Sequence, residues 1–385
     1  MSIGLDTWNA SEGRGQTSFS PGSSLEHYER GRTMRCRVVL GLLLFVASAL
    51  LLNVAGSGAS GCEPDRRVQF ICGPAGAEDL VPVPKSDWVI ASGLSAPGHL
   101  YLISGRDRSA TVLFPTEPPR ERPDTQTYSS CPGALSRADQ EKFRAHGLHL
   151  RSGANGVHTL YVVAHGNRET IEVFELDGHA RTPTLTWIGC VVVPERVGSN
   201  SIDGLPDGGF VVTNFQSRGD ANIRAKLFAG QNTGEVWDWH SHVGWTQVPG
   251  TEMLGPNGIL ASADGKLLYI AGWGNKTFVR LSRGRTPVKR DVIPTAFHID
   301  NLRWAPDGSI FAAGQEGTAE AVLRNCCVGV ATVVAKIHPD TLKSEQLVHY
   351  PTNTFFRFGT VAIQVGKEIW VGAPGGDRIA RFLDR

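Results

Sequence analysis

Three stretches of this chain follow one plan, in which an Asn or Asp lies seven positions before an Asp-Gly pair and a short apolar run. Asn200 precedes Asp207-Gly208 and Phe210-Val211-Val212, and Asn257 precedes Asp264-Gly265 and Leu268-Tyr269-Ile270. Asp300-Asn301 precedes Asp307-Gly308 and Ile310-Phe311. Short strands recurring around an Asp-Gly turn are the signature of a β-propeller. Weaker copies place Glu78-Asp79-Leu80 before Trp88-Val89-Ile90, His146-Gly147-Leu148 before Tyr161-Val162-Val163, and Thr360-Val361-Ala362 before Ile369-Trp370-Val371. The aromatic markers Trp88, Tyr161, Phe210, Tyr269, Phe311 and Trp370 count six copies. Residues 62–385 divided among six leave roughly 50 per blade, and a four-stranded blade needs about 40 to 50. A β-sandwich also has short strands, but they would not recur at this period. The expected fold is all-β, a six-bladed β-propeller.

Composition agrees with this architecture. With 45 Gly and 22 Pro in 385 residues the chain is rich in turns, and at 41% hydrophobic it can bury a core. The best helical stretch is Ser136 to Arg144, between the first and second blades. The formal net charge is +1 and basic residues are scattered, so neither a bulk field nor a stacking stripe recruits nucleic acid.

The first 61 residues read as separate from the fold. Residues 1–37 form a basic segment without periodicity, expected to be disordered. Residues 38–61 read as a signal peptide or a signal anchor. Arg30, Arg32, Arg35 and Arg37 precede an apolar run from Val38 to Leu52, and small residues follow from Ala55 to Gly61. Met34 would open an ordinary signal peptide. The 18 residues from Val38 to Ala55 are also long enough for a membrane anchor. Either route puts the propeller, residues 62–385, outside the cytosol. Cys62, Cys72, Cys131, Cys190, Cys326 and Cys327 follow the apolar run, and disulfides are the expected state there. Six cysteines allow 15 pairings, and the sequence does not choose among them. No Cys-x-x-Cys spacing occurs, which argues against zinc. Asn275-Lys276-Thr277 and Asn9-Ala10-Ser11 are glycosylation sequons, the latter within the N-terminal segment.

Six segments together resemble the paraoxonase/arylesterase family. They are Ala77-Glu78-Asp79-Leu80, Ala145-His146-Gly147, Val162-Val163-Ala164-His165, Gly198-Ser199-Asn200, Pro256-Asn257-Gly258-Ile259 and Ile299-Asp300-Asn301-Leu302. They occur in the family's order and at similar intervals over roughly residues 70–385. The wider gluconolactonase and strictosidine-synthase-like propellers share the architecture and some axial ligands, but not the His pair so clearly. The resemblance implies a propeller with calcium in its axial channel and hydrolysis of esters and lactones. It also implies that His146 activates water and that His165 orients it.

The residues themselves reach a compatible site. The first strand of each propeller blade lines the axis, so polar residues at its start converge from several blades. Glu78, Asn200, Asn257, Asp300 and Asn301 are oxygen donors at such positions, and Ca²⁺ takes six to eight oxygen ligands. Taken singly, each Asn could instead form an Asx turn. His146 opens the first strand of the second blade and His165 ends its second strand, so antiparallel pairing brings both imidazoles to the ring's face. A His near neutral pKa suits a general base. The alternative is hydrogen-bonded channel lining. His149 and His158 read as structural or exposed.

Departures from the family are specific. The resemblance implies a second, structural calcium using Asp79 and the Leu148 backbone carbonyl, yet Ser201 stands where a second Asp is expected. The family closes its ring with a disulfide to a C-terminal Cys, and this chain has none after Cys327. Closure must then come from strand pairing or another bridge. Candidate pocket walls are the Pro115 to Pro132 stretch and Trp237-Asp238-Trp239-His240, the latter also readable as outer-strand packing. Two functions remain: a calcium-dependent hydrolase of carboxylic esters and lactones, or a non-enzymatic, calcium-stabilised binding propeller. A gluconolactonase-like sugar lactonase, with Asn or Asp as base, is a third.

Overall fold

The computed structural model describes residues 62–324 and 329–383. The N-terminal segments, and Cys326 and Cys327, lie outside the described residues. Six four-stranded antiparallel sheets follow one another around a ring. Their innermost strands are Ala77–Pro82, Arg144–Arg151, Ser199–Gly204, Pro256–Ala261, His298–Trp304 and Val361–Val365, which define blades 1 to 6. The fold is the six-bladed β-propeller that the repeat predicts. The helical stretch expected between blades 1 and 2 shrinks to Arg137–Gln140, because Ser136 caps it and Arg144 already opens the next blade. No described helix is long and apolar enough to cross a membrane.

The Asp-Gly pairs that set the repeat make the turns between first and second strands. Gly208, Gly265 and Gly308 take φ of +100°, +69° and +81°, a region that favours glycine. The preceding Asp caps the turn: Asp307 Oδ1 accepts from the Ser309 amide at 3.1 Å, and Asp264 Oδ1 from the Lys266 amide at 3.1 Å.

The apolar runs bury themselves between blades. Each of the six blade interfaces holds its own core, such as Tyr161, Val163, Phe210 and Val212 between blades 2 and 3. Val361 and Trp370 meet Leu80 and Ala91 between blades 6 and 1. A seventh cluster (Phe215, Leu227, Leu254, Trp273, Val322, Val330 and Phe358) includes residues of two short helices, Ile223–Phe228 and Ala319–Leu323.

The ring closes through strand pairing. Gln69–Cys72, from the N-terminal end of the described chain, is the outermost strand of blade 6 and pairs with Arg378–Leu383. A disulfide joins Cys72 to Cys62, and a second joins Cys131 to Cys190. Both fit an oxidising compartment. Ile71 in the closing strand is 1% exposed and packs in the core between blades 6 and 1. Ile71→Ala should cost about 2 to 4 kcal/mol, read as a lower urea midpoint. An unchanged midpoint would mean that the closing strand carries little of the ring's stability.

Candidate active site

Five of the six innermost strands carry an irregularity at the same place. In blade 1 Ala77 pairs with Gly93 but Leu80 with Ala91, so Glu78 and Asp79 together oppose one residue. The same two-against-one count holds for His146-Gly147, Asn200-Ser201, Asn257-Gly258 and Asp300-Asn301. A β-bulge breaks the two-residue alternation and re-aims side chains. In blades 1 and 3 a hydroxyl from the second strand satisfies a bulge amide: the Asp79 amide donates to Ser92 Oγ, and the Ser201 amide to Thr213 Oγ1. Neighbouring bulges abut. A Cβ on Gly147 would sit 2.5 Å from the Asn200 carbonyl, and one on Gly258 2.4 Å from the Asp300 carbonyl.

Glu78, Asn200, Asn257, Asp300 and Asn301 are all buried. Asn301 Nδ2 donates to Glu78 Oε1 at 2.7 Å across the axis, and Gln315 Nε2 donates to Asp300 Oδ2 at 2.8 Å. Each of the five keeps one buried oxygen with no hydrogen-bond partner: Glu78 Oε2, Asn200 Oδ1, Asn257 Oδ1, Asp300 Oδ1 and Asn301 Oδ1. Buried polar atoms are nearly always paired. Five orphaned oxygens on equivalent bulges fit a hard cation that accepts many oxygen ligands. Among the described residues no three His, Cys, Asp or Glu side chains converge as a metal site, and three of these five donors are amides. Burial raises Glu78 well above the ordinary carboxylate range, with Asp79 and Asp300 adding repulsion. Burial also raises Asp300, to about 6.

Deeper in the channel the structure places an arginine where the resemblance implies a second ion. Asp79 and the Leu148 carbonyl both meet the Arg303 guanidinium. Arg303 Nη2 pairs with Asp79 Oδ2 and donates to the Leu148 carbonyl at 2.8 Å. Its Nε donates to the Leu80 carbonyl at 3.0 Å. The guanidinium already supplies the positive charge there. Arg303 thus ties blade 5 to blades 1 and 2.

The two histidines meet. His146 Nδ1 lies 2.9 Å from His165 Nε2, and His146 Nε2 lies 3.7 Å from Glu78 Oε1. His165 Nδ1 lies 2.5 Å from Glu169 Oε2. Burial, with the neighbouring His165, holds the His146 pKa well below the ordinary imidazole range, so it is neutral at pH 7. His149 instead pairs with Asp203 at 2.5 Å, and His158 is buried, accepting from the Gly153 amide.

The candidate walls resolve differently. Trp237–His240 belongs to the third strand of blade 3. Trp239 stacks on Phe210 at 4.9 Å, so outer-strand packing is its role. The Pro115 to Pro132 stretch runs along the outer strand of blade 2, exchanging backbone bonds with Trp187 and Ile188. Nearer the ring, Trp273 Nε1 donates to Gln315 Oε1 and stacks on His298. Gln315, Arg303, Thr360 and Glu169 escaped sequence reasoning. Thr360, whose hydroxyl donates to the Glu78 carbonyl at 2.6 Å, sits at the repeat position that holds a ligand in other blades, and that was its signal.

No protein-family model matches this chain, and no curated protein matches it. Solved structures do. A luciferin-regenerating enzyme superposes with a TM-score of 0.50 at 11% identity, covering 82% of this chain and 94% of its own. Regucalcin from Agrobacterium tumefaciens, described as a calcium-binding protein, has a TM-score of 0.45 at 13% identity, covering 81% and 90%. The PQQ-bound aldose sugar dehydrogenase of Streptomyces coelicolor has a TM-score of 0.45 at 12% identity, covering 82% and 97%. At such identities the likeness is one of fold.

Two measurements follow from the axial charges. Arg303→Met would leave Asp79 buried and unpaired, and should cost about 3 to 5 kcal/mol in urea unfolding. A loss under 1 kcal/mol would show that the guanidinium is not needed there. Asp300 and Glu78 have raised pKa values, so the folded state holds protons that the unfolded chain releases. In chelator the stability of the wild type relative to Asp300→Asn should therefore fall as pH rises, by about 1 to 2 kcal/mol between pH 5 and 7.5. Added Ca²⁺ should flatten that slope. A relative stability that rises over this window in chelator would contradict the raised pKa of Asp300.

Proposed function

We propose that this protein is a calcium-dependent hydrolase of carboxylic esters and lactones, with its site at the mouth of the propeller where Glu78, Asn200, Asn257, Asp300 and Asn301 gather. The observation that carries this reading is the row of five unpartnered, buried oxygens beside a neutral, buried histidine. Glu78 and Asp300 bring two carboxylates, and among the described residues neither has an ion pair to Lys or Arg. Their combined charge matches a divalent cation. When bound, calcium would polarise a substrate carbonyl and offset the negative charge that develops on its oxygen.

The remaining steps belong to the side chains. His146 accepts a proton from the attacking water as the water oxygen bonds to the carbonyl carbon. Breaking the acyl carbon–oxygen bond releases an alkoxide, which takes that proton back, giving a carboxylic acid and an alcohol. A lactone yields both groups on one molecule. His165 holds the His146 ring at 2.9 Å, and Gln315 and Thr360 hold the ring members in place. Two disulfides support an extracytoplasmic setting.

Phenyl acetate and a panel of lactones test this reading in excess Ca²⁺ and in chelator. Activity should vanish with chelation, and the melting temperature should fall with it, since a ligand of the folded state stabilises that state. His146→Gln should lower kcat by about 10²- to 10⁴-fold with melting temperature nearly intact. Full activity of His146→Gln on every substrate would remove the base assignment. A protein that hydrolyses none of them in added Ca²⁺ would favour a binding propeller instead.

A further inference from the structure

Glu169 gives the histidine pair a direction. We infer that Glu169 is the positioning residue of a three-member relay, Glu169–His165–His146, which sets both imidazole tautomers and leaves His146 Nε2 as the free acceptor toward the axial ring. The inference deepens the hydrolytic reading above and, for its kinetic part, rests on it.

The argument is one of donors and acceptors. An ionised carboxylate can only accept, and a neutral imidazole carries one N–H. Burial pushes the Glu169 carboxyl up, but the hydrogen bond to His165, with Arg218 and Arg144 nearby, outweighs it and holds it below the ordinary range. Its Oε2 lies 2.5 Å from His165 Nδ1, so that nitrogen carries the proton. His165 Nε2 is then bare and must accept from its neighbour at 2.9 Å, which places a proton on His146 Nδ1. His146 Nε2 is left bare, on the side of the ring where it approaches Glu78. Without the carboxylate the pair could run the other way, with His165 donating from Nε2 and His146 presenting an N–H to the axis. A ring that presents N–H cannot take a proton from water. One carboxylate therefore chooses between a base and a donor.

The relay also has somewhere to put the charge. When His146 Nε2 takes a proton, the proton on its Nδ1 can pass to His165 Nε2. The positive charge then rests beside Glu169, and no proton is gained or lost in the transfer.

The fold holds Glu169 for this task. It closes the hairpin between the second and third strands of blade 2, where Gly166 takes φ +149° against the Lys142 carbonyl. Asn167 Nδ2 donates to Asp139 Oδ1 at 3.0 Å, and Arg168 Nη2 to the Gly133 carbonyl at 2.8 Å. The Glu169 carbonyl accepts from the Val193 amide at 3.1 Å.

Histidine ¹⁵N NMR on the full-length protein with Ca²⁺ at pH 8 reads the tautomers, with His146→Gln and His165→Gln assigning the signals. The expected result is protonated Nδ1 and bare Nε2 in both rings. Glu169→Leu should abolish this preference at His165, and Glu169→Gln, which keeps an acceptor but no charge, should largely retain it. In steady-state hydrolysis of phenyl acetate, Glu169→Gln should lower kcat by about 10-fold and Glu169→Leu by about 10²-fold, with KM within twofold. A proton on His146 Nε2 in the wild type would overturn the relay whatever the activity. Wild-type kcat in Glu169→Leu would overturn its role. A wild type that shows the expected tautomers but hydrolyses nothing would uphold the relay's direction and refute the hydrolase reading instead.

Discussion

Two carboxylates, Glu78 and Asp300, are buried at the axis of this propeller, and among the described residues neither forms an ion pair with Lys or Arg. Burying an uncompensated charge costs more than most of a domain's net stability, so such groups are protonated, paired or bound to metal. Much of the channel can be understood as an answer to that constraint. The bulges bring the carboxylates and three amides toward one region, and the glycines of neighbouring bulges let the strands approach closely enough. Gln315, itself fixed by Trp273, takes one oxygen of Asp300, and Asn301 takes one oxygen of Glu78. One oxygen on each carboxylate and on each of the three amides is left without a hydrogen-bond partner.

The channel solves the same electrostatic problem twice, by different means. One layer down, Asp79 is buried too, but there the chain supplies its own cation in Arg303. The Arg303 donors are taken up by Asp79 and by the carbonyls of Leu148, Leu80 and Leu302, which makes it a tie between blades. The ring above it has oxygens to spare and a histidine at its edge. That difference separates a layer that holds blades together from one that could do chemistry. Blade 2, which carries the histidines, is also the blade reinforced by the Cys131–Cys190 disulfide and by the buried Glu172, which accepts from Trp187 Nε1 and Thr170 Oγ1.

The propeller was legible because Asp-Gly turns and aromatic second strands are local signals repeated at one period, and the six markers all fall on second strands. The ring residues were legible for the same reason, since Glu78, Asn200, Asn257 and Asp300 occupy one position in the repeat. Glu169, Gln315 and Arg303 were not, because their roles depend on contacts outside that position. Glu169 meets His165 across a hairpin, and Arg303 meets Asp79 and Leu148 across three blades. The bulges were hidden as well: a register shift is a property of two strands, and no residue announces it alone. Trp237 and Trp239 drew attention by their size, yet a large aromatic on an outer strand most often packs, as Trp239 does on Phe210.

The central claim is that the axial ring holds one divalent cation while Arg303 takes the place of a second. Calcium titration of the chelator-stripped protein, followed by calorimetry with elemental analysis of the loaded form, tests it most directly. The account predicts one calcium per chain, lost when Asp300→Asn and Glu78→Gln are combined and unaffected by Ser201→Ala. No bound calcium, or one that survives removal of both carboxylates, would contradict it.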